Sequence, residues 1–138
     1  SESVLLYTFS FLGDRLLPDS DKPKRHRSAD AIKKYLDDHF TDLDFSLEHM
    51  SRELSYNKKY ISHVFKKQFG ISNISYINHY RLSVAAEKLS ISDLPIKEIA
   101  LSVGINDALY FSKLFKKEYG ISPRVYRSNH KNEAELVK

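Results

Sequence analysis

Lys59, Ser62, His63 and Lys66 fall at i, i+3, i+4 and i+7, with Lys58 and Lys67 beside them. On a helix that spacing gathers the side chains into one ridge. The ridge offers cations, a hydroxyl and an imidazole, and no carboxylate stands among them. Such a set of groups suits a surface of acceptors, and the DNA major groove, about 12 Å wide and lined with acceptors, is one. The equivalent positions fifty residues on are Leu109, Ser112, Lys113 and Lys116, flanked by Ala108 and Lys117. The paired lysines at 66–67 and 116–117 suit phosphate contacts better than base reading. A lysine-rich outer face on one amphipathic helix is equally well a solvated surface. It is the repetition that favours a target repeating every helical turn, about 34 Å.

The elements that must position these ridges are repeated too. Tyr60 to Ser72 returns as Tyr110 to Ser122, and nine of the seventeen positions from 60 to 76 match those from 110 to 126. Unrelated stretches would share about one. Two copies are too few for a solenoid, so a paired working unit is predicted. In the first copy Ser46 caps a helix with Leu47, Met50 and Leu54 inward and Glu48 in its first turn. Asn57 caps the next helix, whose stripe is Ile61, Val64, Phe65 and Phe69, and Gly70 ends it. In the second copy Pro95 opens a helix with Ile96, Ile99 and Val103 inward, and Gly104 turns the chain. Asn106 and Asp107 cap its partner, which carries Phe111, Leu114, Phe115 and Tyr119 inward. Gly120-Ile121-Ser122-Pro123 then stops that helix and starts a short last one through Tyr126. Ser55 stands where the second copy has Gly104, at a cost of about 1 kcal/mol if the turn needs positive φ.

Two further helices complete an all-α reading. One is expected to start at a cap on Ser28, with Ile32, Tyr35, Leu36 and Phe40 on one face. The other runs from about Ile74 to Leu89, with Ile74, Ile77, Val84, Ala85 and Leu89 inward. At 1.5 Å per residue it is a spacer of roughly 25 Å between the copies.

Composition bounds the rest. The 138 residues suffice for one ordinary domain or two very small ones, and 41% hydrophobic with 29% charged residues is typical of a soluble protein. Four glycines and four prolines favour helix over strand. The net charge of +4 favours an acidic partner only weakly. With no cysteine there is no disulfide, thiolate metal site or thiol nucleophile, which suits a cytoplasmic location. The six histidines include no i, i+4 pair with an adjoining glutamate, and no Gly-rich phosphate loop or nucleophile elbow is present. No catalytic residue, metal or cofactor is therefore expected. The stretch from Val4 to Leu12 is broken by Thr8 and Ser10 and is far short of the roughly 20 residues needed to cross a bilayer, so no membrane contact is expected. Glu2 stands where a signal peptide has basic residues. The chain opens without Met and is expected to belong to a longer protein.

Particular residues carry a family likeness. Ile96-Lys97-Glu98-Ile99-Ala100, Val103-Gly104-Ile105-Asn106-Asp107, Tyr110 to Lys117, and Gly120 to Pro123 with Tyr126-Arg127 resemble the C-terminal signature of the AraC/XylS family of bacterial transcription regulators. The likeness reaches back through Ala85 to Leu89 and Tyr80-Arg81-Leu82 to Phe65-Lys66-Lys67, covering residues 28 to 128. It implies seven helices, two helix-turn-helix units joined by a long helix, and two recognition helices in successive major grooves of promoter DNA. By the same resemblance, base reading falls to Lys59, Ser62 and His63 in the first unit and to Ala108, Leu109, Ser112 and Lys113 in the second. Lys59 and Lys113 can donate to guanine, the serines serve either sense, and His63 donates or accepts by tautomer. Ala108 and Leu109 can meet only a thymine methyl, so the second unit is expected to anchor more than it reads. Candidate phosphate partners are Arg52, Lys58, Lys66, Lys67, Lys116, Lys117 and Arg124, with backbone N–H groups in the helix turns around Leu47 and Ile96.

The expected organisation is an N-terminal apolar segment and linker at 1–23, a double helix-turn-helix domain at 24–128, and a polar tail at 129–138. The resemblance implies RNA polymerase as a partner, together with an upstream effector-binding, dimerisation or receiver domain in the parent chain. Related modules fused to DNA-repair methyltransferases depend on cysteine, which is absent here. The competing reading is a helical protein-interaction module with only non-specific affinity for DNA.

Overall fold

The computed structural model describes residues 21–137, with side chains described from Pro23 to Lys131, and its regular structure among them is entirely helical. Seven helices follow in order: α1 Asp21–His39, α2 Leu47–Leu54, α3 Lys58–Phe69, α4 Asn73–Ile91, α5 Ile96–Ser102, α6 Ala108–Tyr119 and α7 Pro123–Val137. They form two compact units. Among the described residues the first comprises 21–39 with Phe45–Ile77, the second Phe40–Asp44 with 78–137. Helix α4 gives its first five residues to the first unit and the remainder to the second.

In the first unit α1 packs mainly against α3. Ala29, Ile32, Leu36, Met50, Ile61, Val64, Phe65 and Ile77 close this core. Phe65 meets Phe69 and Tyr76 in tilted and edge contacts, with centroids 4.7 and 5.5 Å apart. Two tyrosines fasten the helices at their polar tips. Tyr60 donates to Ser28 Oγ at 2.9 Å, and Tyr76 donates to Asp37 Oδ1 at 2.5 Å. Ser28 is therefore not a cap: α1 starts at Asp21, Pro23 lies in its first turn, and Ser28 is buried a full two turns in. Residues 21–23, expected to belong to the apolar segment and linker at 1–23, are thus helical, and the rest of that segment, residues 1–20, lies outside the described residues. Ile74, expected to point inward, is 47% exposed, while its neighbour Asn73 is buried in its place.

The second unit is built on Leu82, Ala85, Ala86, Leu89, Ile99, Ala100, Val103, Ile105, Phe111 and Phe115, with Val84, Leu114, Tyr119 and Tyr126 packed around them. Arg81 reaches back from α4 to the segment after α1, donating from Nε to the Phe40 carbonyl at 2.7 Å and from Nη2 to that of Asp42 at 3.2 Å. Burial pulls its pKa down, opposed by Asp42 and Tyr110. Arg127 likewise ties α7 to the carbonyls of Leu89 and Leu94. The last helix does not stop near Tyr126 but continues to Val137, so the expected polar tail from 129 is helical through that residue.

Candidate nucleic-acid interface

The two helix-turn-helix units are closed by the same local chemistry. After α2 the Tyr56 N–H reaches the Ser51 carbonyl at 3.2 Å and the Ser55 N–H that of Arg52. After α5 the Ile105 and Gly104 N–H groups repeat this with Ala100 and Leu101. Both are Schellman closures, which require a left-handed residue. Gly104 supplies it at φ 87°, and Ser55 supplies it at φ 58° despite its β-carbon. Asn57 Oδ1 then accepts from the Tyr60 N–H at 2.7 Å to start α3, and Asp107 Oδ1 accepts from the Tyr110 N–H at 3.0 Å to start α6. Gly70 and Gly120 end these two twelve-residue helices, each N–H bonding at 2.8 Å to the Lys66 or Lys116 carbonyl. One extra residue, Asn106, stands in the second turn, and for that reason Ser55 aligns with Gly104 rather than with Ile105.

On α3 the burial of Ile61, Val64, Phe65 and Gln68 turns Lys59, Ser62, His63, Lys66 and Lys67 to solvent. Together with Leu47 and Lys58 they line one open groove of about 880 Å³. The base-reading set expected in the first unit is thus one surface. Among the described residues Lys59, His63, Lys66 and Lys67 have no ion pair. Lys58 differs, since Glu48 reaches it from the first turn of α2 at 3.0 Å. The Glu48 carboxyl is held below its usual range first by its own backbone N–H and then by Lys58. That pairing was missed in the sequence, where Glu48 reads simply as a helix-dipole residue. Arg52 is exposed but lies outside the groove, lining a separate depression with His49 and Glu53.

On α6 the order is similar and the chemistry thinner. Lys113, Lys116 and Lys117 are exposed, as is Arg124 on α7, whereas Ala108 and Ser112 are half-buried. Leu109 is 66% exposed and Tyr110 50%. Tyr60, the counterpart of Tyr110, is instead drawn to Ser28. Two identical tyrosines hide that difference in the sequence, because it depends on a partner helix. Of the helix starts expected to hold phosphate, α2 has its His49 N–H already taken by Ser46 Oγ at 3.0 Å, and α5 turns its Glu98 and Ile99 N–H groups to the Pro95 carbonyl.

Two bundled helix pairs, each presenting a cation-bearing second helix, define a tandem helix-turn-helix protein. The family model described as "Helix-turn-helix domain" matches residues 50–129. The chain belongs to the AraC/XylS family of transcription regulators. It is 34% identical over 127 residues to the arabinose operon regulatory protein of Salmonella typhimurium, covering 92% of this chain and 43% of that protein. It therefore spans less than half the length of this curated relative. Among solved structures, the C-terminal domain of the two-component response regulator yesN from Fusobacterium nucleatum is 37% identical with a TM-score of 0.68, covering 71% of this chain and 95% of that one. The C-terminal domain of AraT, a response regulator from Geobacillus stearothermophilus, is also 37% identical with a TM-score of 0.71, over 74% and 84%.

Proposed function

We propose that the chain is the DNA-binding part of a transcription regulator and that α3 and α6 enter successive major grooves of a promoter site. The observation that carries this reading is the acid-free ridge on α3, set by a cap, turn and terminal glycine that recur on α6. Lys59, Ser62 and His63 read base edges in the first groove. Ala108, Leu109, Ser112 and Lys113 occupy the corresponding places in the second, where Leu109 meets apolar base surface and Lys113 the acceptors. Lys66, Lys67, Lys116, Lys117 and Arg124 hold phosphates, and Lys58 joins them when it leaves Glu48. Arg52, off the groove, serves the neighbouring backbone.

The binding domain, read from the sequence as 24–128, takes in the whole of α1 and α7 from Asp21 to Val137. It follows a connection to an effector-binding, dimerising or receiver region, and when bound contacts RNA polymerase in the bacterial cytoplasm. Names of the matched relatives, an operon regulator and two response regulators, support that arrangement. The exposed pair Leu109 and Tyr110 would equally suit a helical protein-interaction module.

Site selection on single variants tests the assignment. Lys59→Ala or His63→Ala should relax specificity at one base position, at about 1–3 kcal/mol. Lys117→Ala should weaken all sequences alike and reduce the salt slope by about 1. Unchanged base preferences in the first two variants would refute it.

A further inference from the structure

Ser62 stands exposed in the middle of the α3 ridge and is backed by a buried amide. Asn73, the first residue of α4, is 2% exposed and directs its Nδ2 to Ser62 Oγ at 3.5 Å. Its Oδ1 is enclosed without a hydrogen-bond partner. The second copy has Pro123 in the same place, buried at the start of α7. Proline suits a first helical position, since its φ is already helical and the N–H it lacks would have no intrahelical partner. An asparagine there encloses two polar groups and satisfies one of them, which is the poorer choice for stability. What Asn73 has that proline cannot supply is a hydrogen bond to a side chain on the base-facing ridge.

We infer that Asn73 is a positioning residue that fixes the sense of the Ser62 hydroxyl, presenting it to the base edge as a hydrogen-bond donor. This rests on the reading of α3 as the base-reading helix. A serine hydroxyl has one O–H and two lone pairs, and it rotates unless something holds it. The Asn73 amide occupies one of the two lone pairs from the protein side, so the O–H points away from that donor and toward the groove with one lone pair beside it. With the O–H outward and half of the accepting capacity taken, guanine O6 or N7, adenine N7 or thymine O4 is preferred over the amines of cytosine N4 and adenine N6. Ser112, whose copy carries Pro123, lacks that amide and keeps both senses. The two serines, identical in sequence and register, thereby differ in selectivity.

Selections from a randomised duplex library with the unaltered chain, Ser62→Ala, Asn73→Pro and Asn73→Asp test this, with thermal melting to check that each variant folds. Ser62→Ala should lose preference at one base position. Asn73→Pro should weaken preference at that same position by about 2- to 10-fold, leaving other positions and the salt dependence unchanged. Asn73→Asp accepts the Ser62 O–H, turns a lone pair outward and should shift that position toward the amine-bearing bases. If Ser62→Ala alters the position and both Asn73 variants leave it untouched, the inference fails while the base-reading assignment stands. If Ser62→Ala alters nothing, the inference fails together with the base-reading role of Ser62, while the reading of α3 stands or falls on Lys59→Ala and His63→Ala. If Asn73→Pro weakens every position alike, Asn73 merely supports the helix and the inference is again overturned. The proline variant has its precedent at position 123, so the outcome does not depend on the aspartate variant folding.

Discussion

Adding one carbon to Gly104 or to Gly120 should separate two costs that usually come together. Both glycines are left-handed, at φ 87° and 81°. Alanine at either position therefore meets a backbone penalty of about 1 kcal/mol. Around Gly120 an added Cβ has nothing within 4 Å. At Gly104 it would lie 2.5 Å from the Phe40 carbonyl oxygen, 2.9 Å from Arg81 Nη2 and 3.1 Å from the Asp42 carbonyl oxygen. Those carbonyls cannot simply yield, because Arg81 holds both. Relieving the clash loosens a charged hydrogen bond, which adds about 1.5–3 kcal/mol. Gly104→Ala should thus lose about 2.5–4 kcal/mol and Gly120→Ala about 1 kcal/mol. Guanidinium unfolding followed by circular dichroism gives both values under one protocol. Equal losses would show that the turn before α6 needs glycine for its φ alone, and that the approach of Phe40 and Arg81 is incidental.

Two other substitutions follow from the same geometry. Ser55→Gly removes the β-carbon from a left-handed position at φ 58° and should raise stability by about 1 kcal/mol, or roughly 3–6 °C in the thermal midpoint; an unchanged or lowered midpoint would mean that the serine side chain offsets its own strain. Glu48→Gln should free Lys58 for phosphate and steepen the salt dependence of DNA binding by up to about 0.9, measured by titration over a range of salt. Because the Glu48 carboxyl is held below its usual range in the fold, its contribution is present above the ordinary carboxylate pKa and is lost as pH falls through the lowered value. Acidification through that window should steepen the salt dependence of the unaltered chain more than that of Glu48→Gln, in which this pair is already broken, and a salt slope indifferent to the substitution would place Lys58 away from DNA.

The repeated pattern from Tyr60 to Tyr76 and from Tyr110 to Tyr126 makes the two helix-turn-helix units legible in the sequence, because caps and terminal glycines act within a few residues. Asn57, Asp107, Gly70 and Gly120 do what their local chemistry dictates. The strained Ser55 turn is legible for the same reason. The start of α1 was not, since Ser28 has the composition of a cap and only its burial against Tyr60 shows otherwise. Ile74 misled in the opposite sense: its periodicity pointed inward, but the next residue toward the N-terminus, Asn73, takes the buried place. On the candidate surface, the ridge of Lys59, Ser62 and His63 is a consequence of spacing alone. The pairing of Lys58 with Glu48 and the amide behind Ser62 join residues ten and eleven positions apart on different helices. Such contacts depend on how α2 and α4 pack beside α3, which no single helical period encodes.

The most direct measurement is a titration of this chain against a randomised duplex library at two salt concentrations, with sequencing of the retained DNA. An enriched motif of two half-sites about ten base pairs apart, with affinity falling steeply as salt rises, is the expected result. Salt-sensitive binding without any motif would reduce both helices to electrostatic anchors and contradict base reading by Lys59, Ser62 and His63.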